Sequence, residues 1–294
     1  MRYKTKLGRT FDIVNTIFLI LLCAITIYPF IYVLACSFSD AIYVEAGDVF
    51  IWPKGFTLDA YKEAFEDRYI WMGYLNSVIY TVGFTALEIF SVYCIAYPLS
   101  KKRLIFRNFF LWYFILRMFL GGGLIPNYLV ASSLGLVNNR LSMIVLGLAK
   151  VWDILLVRNY LTTTIPESLE ESALIDGSNE IQILFHIMLP LSLPILATIA
   201  LFNAVDKWNE YMNAIIYLQD PEMHPIQVVL HRLLVLSQTR ESEQSSLTYY
   251  LDQKAGVATI KHAVTIMAIL PIIMVYPFLQ KYFVKGIIIG AIKQ

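Results

Sequence analysis

The chain has 294 residues, 58% of them hydrophobic and 15% charged, with a formal net charge of +1. That apolar share exceeds the usage of an average soluble domain and predicts a multi-spanning membrane protein. The net charge gives no argument for nucleic acid as a partner, and no Lys/Arg-rich patch with interleaved aromatics appears.

In chain order, Arg2, Lys4, Lys6 and Arg9 precede an apolar run from Ile13 to Cys36. The run is longer than the apolar core of a cleavable signal and no small-x-small cleavage site follows, so it reads as a first span. Crossing a bilayer takes about 20 apolar residues at a helical rise of about 1.5 Å each. Five further stretches qualify, some interrupted by polar residues: 72–98, 105–126, 139–160, 192–217 and 262–283. The expected organisation is an N-terminal segment 1–12, a six-span domain 13–283 and a tail 284–294.

The basic residues set an orientation. Arg2 to Arg9, the turn Lys101-Lys102-Arg103 with Arg107, and Lys281, Lys285 and Lys293 all fall on one side, which the positive-inside rule makes cytoplasmic. Both termini are then inside. The segments 37–71 and 218–261 lie outside, the first rich in Asp and Glu. Leu58 to Phe65 and Pro225 to Leu236 read as interfacial helices or as a docking surface for a partner. Gln238 to Gln244 is expected to be a flexible tip.

Several motifs are missing. The chain has no G-x-x-x-x-G-K-[ST] run, no nucleophile–base pairing, no H-E-x-x-H and no Cys-x-x-Cys. An enzyme reading therefore has no support, and neither a cofactor nor a metal is expected on this chain. Gly121-Gly122-Gly123 lacks the phosphate-loop lysine and reads as close helix packing or a broken helix end. Cys23, Cys36 and Cys94 lie in apolar runs and read as buried small hydrophobes. His186, His224, His231 and His262 show no ligand spacing.

The most charged stretch between apolar runs is Ile165 to Leu193. Thr164 as N-cap, Pro166 in the first turn and Glu167 in capping-box spacing predict a helix start. Leu169, Ala173 and Leu174 share one face, and Glu167, Glu170 and Glu171 load the end that the helix dipole favours. Gly177 should end this helix in the left-handed conformation. Ser178 then caps a second helix, with Glu180 in its first turn, that runs until Pro190 interrupts it. The resulting elbow is acidic where the other inside segments are basic. It is either a solvated acidic loop or a docking knob.

Glu171-Ser172-Ala173, then three residues, Gly177, nine residues, Ile187, one residue and Leu189-Pro190 resembles the EAA loop of permeases from binding-protein-dependent ATP-binding-cassette importers. Ser172 stands where the family usually has alanine. LEESALIDG at 169–177 and LPLSLPILAT at 189–198 resemble the carbohydrate-uptake branch. Phe119 to Tyr128 and the tail from Tyr276 are similar to the polysaccharide and lipoprotein-named permease subgroup. The resemblance implies an all-α membrane protein with the six-helix type I importer permease fold. It implies a second, homologous permease, two ATPase subunits that hold ATP and Mg, an extracellular solute-binding protein and a sugar substrate moved by alternating access. Glu171, Ser172, Ala173, Asp176, Gly177, Ile187, Leu189 and Pro190 would then carry the ATPase contact, with Gly286, Gly290 and Lys293 of the tail reaching the same interface.

Ionisable residues inside spans are costly and usually face a cavity or a partner. Glu88, Arg117, Lys150, Asp153, Asp206, Lys207 and Glu210 are of this kind. Lys150 and Asp153, three apart, read as a self-satisfied ion pair. For Glu88, Asp206, Trp208, Asn209, Glu210 and Tyr211 two readings stand: a polar path in which the aromatics stack on sugar rings and the polar groups bond hydroxyls, or pairing between helices. From another class, an ion-gradient transporter would use Glu88 and Asp206 as carriers, and a membrane scaffold would transport nothing. Neither has a reason for the elbow.

Overall fold

The computed structural model describes residues 6–242, 256 and 259–275, and among them no strand occurs. The helices are α1 (Lys6–Ser37), α2 (Ala41–Glu45), α3 (Asp59–Glu66), α4 (Arg68–Ser100), α5 (Arg107–Phe119), α6 (Leu124–Ser133), α7 (Leu141–Val145), α8 (Val151–Thr163), α9 (Glu167–Ile175), α10 (Glu180–Gln182), α11 (Leu189–Trp208), α12 (Met212–Tyr217) and α13 (Ile226–Ser242). The last helix among the described residues, α14, covers Thr259–Val275.

The chain divides into two compact units, residues 1–71 with 229–270 and residues 72–228 with 271–294. In the first, α1 is apolar on all sides and none of its most apolar window is buried, as suits a helix bathed in lipid. Cys23 is accordingly exposed, contrary to the expected burial, while Cys36 is buried and Cys94 half-buried. Asp40 caps α2 by accepting the Ile42 N–H, and Ala60 of α3 packs on Ala263. The expected tip from Gln238 is still helical to Ser242, because no glycine or proline between 226 and 242 stops α13. Gln244 lies outside the described residues.

In the second unit the core joins Val92, Tyr93 and Ala96 of α4, Ile154 and Val157 of α8, and Ile199 of α11. In lipid such contacts hold by fit rather than by expulsion of water, so a small residue such as Ala96 matters for close approach.

Among the described residues, three helices are long and apolar enough to cross a membrane unbroken: Gly8–Ser37, Arg68–Ser100 and Glu180–Trp208. The stretches 105–126, 139–160 and 192–217 bend or break, whereas 262–283 is one helix as far as Val275 and lies outside the described residues beyond it. Residues 105–126 form α5 and α6, bent by 113° across the three glycines, with Gly123 at φ +78. The broken-helix reading of that motif therefore holds. Residues 139–160 form α7 and α8, parted at Gly147 (φ 87) and Ala149 (φ 58). Residues 209–211 separate α11 from α12.

A break at membrane depth must satisfy its own backbone groups. Glu88, fully buried on α4, accepts the N–H groups of Ala149 at 2.7 Å and Lys150 at 2.8 Å, just ahead of α8. A carboxylate at that helix start also suits the dipole.

Candidate functional site

The elbow is built from α9, Gly177 and α10. Pro166 is the N-cap of α9, with an extended ψ of 135°, rather than a residue of its first turn. Thr164 does not cap it: Thr164 closes α8, donating its N–H to Tyr160. A proline pushes the preceding residue, Ile165, out of the helical region, which moves the start past Thr164. At the other end Gly177 sits at φ +83, donating to Leu174 O at 3.1 Å while Ser178 donates to Ala173 O at 2.9 Å. This pair of bonds is a Schellman motif. It consumes the Ser178 N–H, so the cap of α10 shifts one residue on. Asn179 accepts from the Gln182 N–H at 2.9 Å and Gln182 returns the bond at 3.0 Å, a reciprocal capping box.

Pro190 does not interrupt the second helix. Residues Ile183–Met188 form a π-helical turn, in which Leu189 donates to Leu184, five residues back. The wider turn absorbs the proline, and α11 continues through Pro190 and Pro194 to Trp208.

The inward side of α9 is Glu170 and Ala173. Leu169 and Leu174, expected on the same face as Ala173, are exposed instead. Ile175 is 86% exposed and Ile181 68%, one on each arm of the elbow. Glu171, Ser172, Asp176, Gly177 and Pro190 are also exposed, while Ile187 and Leu189 are half-buried. The Ser172 hydroxyl donates to Ser168 O at 2.8 Å, so serine in place of alanine leaves no unmet polar group.

Behind the elbow lies the turn that follows α4. Lys101 bonds Glu170, and Arg103 Nη2 reaches Glu170 Oε1 at 2.7 Å and Glu180 Oε1 at 2.6 Å. Lys102 pairs with Glu167 at 3.0 Å, a bond that holds the Glu167 carboxyl below the usual carboxylate range. Burial, with Arg103 adding to it, pulls the Lys101 ammonium down to about 8, while Glu180 and Glu167 pull it back up. Tyr93 of α4 adds a bond to Leu184 O at 2.8 Å. The acidic loop is therefore matched by the basic turn. Opposite charge in two segments assigned to the same membrane side was the available signal.

Inside the spans, Lys150 pairs with Asp206 at 2.6 Å, not with Asp153. Lys150 precedes α8 in an extended conformation (ψ 124°), which removes the helical i,i+3 geometry, and α11 supplies a carboxylate instead. Asp153 accepts from Asn203 Nδ2 at 2.7 Å, a partner the spacing did not suggest. Lys207 pairs with Glu210 at 2.5 Å, and Asn213 donates to the same carboxylate. Trp208 is buried, edge-on to Tyr74 with ring centroids 5.6 Å apart. Asp206, Asn209 and Tyr211 are exposed. Arg117 donates to Ala149 O at 3.2 Å. Gly286, Gly290 and Lys293 lie outside the described residues.

Residues 6–289 match the family described as the binding-protein-dependent transport system inner membrane component. The chain belongs to this family. The permease is 40% identical over 291 residues to Protein LplC of Bacillus subtilis (strain 168), a match covering 99% of this chain and 97% of that protein. It is 39% identical over 286 residues to the polygalacturonan/rhamnogalacturonan transport system permease protein YtcP of the same organism, covering 97% and 99%. Among solved structures it resembles a chain of a bacterial ABC transporter involved in the import of the acidic polysaccharide alginate, with a TM-score of 0.87 at 34% identity, covering 96% of this chain and 100% of that one. The permease therefore has the all-helical fold of type I ABC importers and resides in the membrane. It is a transport subunit and not an enzyme, working with an ATPase and a solute-binding protein. The ion-gradient alternative is not favoured.

Proposed function

We propose that this permease forms one half of the membrane passage of an ATP-driven carbohydrate importer, and that the α9–Gly177–α10 elbow is its contact with the ATPase. The cargo is an oligosaccharide or polysaccharide fragment, a reading supported by the names of the relatives and the solved neighbour. A second, similar permease completes the passage over two ATPase subunits that hold ATP and Mg. An extracellular binding protein docks on segments 37–71 and 218–261. The bias of Lys and Arg supports placing both termini and the elbow in the cytoplasm.

The observation that carries the reading is the elbow itself: exposed Ile175 and Ile181 on a Schellman turn held from behind by ion pairs. A rigid knob with an apolar tip suits a cleft on a moving partner. Closure of the ATPase pair shifts the knob, and the spans reorient with it. Glu171, Asp176 and Gly177 lie at the contact, Ala173 packs inward behind them rather than touching the partner, and the tail residues Gly286, Gly290 and Lys293 extend it. Asp206, Asn209, Glu210 and Tyr211 line the polar path, supported by Glu88 and Trp208 behind them. The segments 1–12, 13–283 and 284–294 divide the chain.

Uptake by the transporter reconstituted in vesicles tests this reading. Import should need internal ATP and the external binding protein. Import driven by a pH gradient alone would overturn it.

A further inference from the structure

In the reading above the basic turn after α4 only holds the elbow from behind, although it makes the densest set of ion pairs among the described residues. Arg103 is its centre. A single guanidinium nitrogen bonds Glu170 on one arm of the elbow and Glu180 on the other, with Gly177 between them. Glu170 is 6% exposed and is shared with Lys101. The turn continues α4 directly, and α4 carries both Tyr93, bonded to the π-helical turn, and Glu88, bonded to the backbone ahead of α8. An unbroken line of bonds therefore runs from the elbow through Arg103 into α4 and on to α8.

We propose that Arg103 is a positioning residue of the transport cycle: it sets the angle of the elbow by bridging Glu170 and Glu180, and it passes the elbow's displacement into α4. This rests on the elbow being the ATPase contact. Arginine suits the task because its Nη2 holds two N–H donors in a fixed plane on a group that stays charged, whereas a lysine ammonium is a point charge on a flexible stem. Without the bridge the elbow still docks, but its two arms are no longer tied to each other through the turn, and Lys101, Lys102 and Tyr93 pass only part of its displacement into α4. Much of the ATP is then spent without transport.

The test uses the complete transporter, with both permeases, ATPase and binding protein, in vesicles, and reads substrate imported and ATP hydrolysed together. In Arg103→Gln, import per ATP should fall about tenfold, less than a fully buried pair would give because Glu170 is buried while Arg103 and Glu180 are half-exposed. Arg103→Lys should recover part of that ratio. A purely structural role predicts less assembled complex with an unchanged ratio, and that result overturns the proposal. If Arg103→Gln does not assemble, Glu180→Gln decides, because Glu180 is exposed and its loss cuts only the second arm: a ratio lowered several-fold supports the proposal and an unchanged one overturns it. Gly177→Val separates the two levels. Normal transport in that variant removes the elbow reading itself. A block of transport there, beside unchanged ratios in the Arg103 and Glu180 variants, removes only the bridge.

Discussion

Glu88 illustrates how a charged side chain inside a span can have a local structural task. Both of its oxygens accept backbone N–H groups, so replacing it with alanine strands two donors at membrane depth. We expect Glu88→Ala to cost about 3 kcal/mol, the scale of unmet buried donors, and Glu88→Gln less because the amide oxygen still accepts. Thermal unfolding in detergent measures it, and a Tm for Glu88→Ala equal to wild type would contradict the capping role. An ion carrier would behave differently, since Gln at this site would stop transport with little change in Tm. Spacing alone made these residues visible as intramembrane charges but mispaired Lys150, because it assumed helix where the backbone before α8 is extended. The partners Asp206 and Asn203 come from α11, a contact that no local spacing encodes.

At the level of elements, the elbow was legible in the sequence through Gly177, the acidic first turn and the helical spacing on either side. What shifted were the caps. The Schellman motif takes Ser178 and hands the cap to Asn179, a one-residue displacement that follows from backbone bonding. Pro190 misled for a related reason, since a π-helical turn upstream lets a proline pass without ending the helix. The positive φ of Gly177 yields a graded prediction. A Cβ at this position meets no atom within 4 Å, so any penalty comes from backbone conformation alone. Gly177→Asn should keep most uptake, because asparagine tolerates the left-handed region, while Gly177→Val should abolish uptake and leave membrane insertion intact. Uptake assays with quantified membrane protein distinguish these outcomes; transport by the Val variant at the normal rate is the adverse one. For Asn179→Ala, loss of the capping box should cost about 1 kcal/mol and lower uptake partially.

For the whole molecule, composition alone carried the class, because a chain this apolar has little choice but lipid. The continuous spans were also plain, since α1 and α4 are long runs with few breakers. The broken ones were not. Gly147 looks unremarkable in a hydropathy reading, and the polar run 206–211 was visible as charges inside a span rather than as a break, so only the three-glycine run announced its bend. Because α1 is exposed around its circumference, a charge near its middle should be poorly tolerated. Leu21→Lys is expected to reduce insertion, on a scale of about 3 kcal/mol for lysine at a span centre, read as the share of protein in the membrane fraction.

On the proposed contact, the internal pairing of Glu167, Glu170 and Glu180 has a consequence for how the permease would hold its ATPase. Three of the elbow's carboxylates, those of Glu167, Glu170 and Glu180, are already paired within the chain, leaving the apolar Ile175 and Ile181 at the tip beside Glu171 and Asp176. Concentrated salt shortens electrostatic reach to about 3 Å at 1 M but leaves oily contacts untouched. The two subunits should therefore stay together in a brine wash and come apart in mild detergent mixtures.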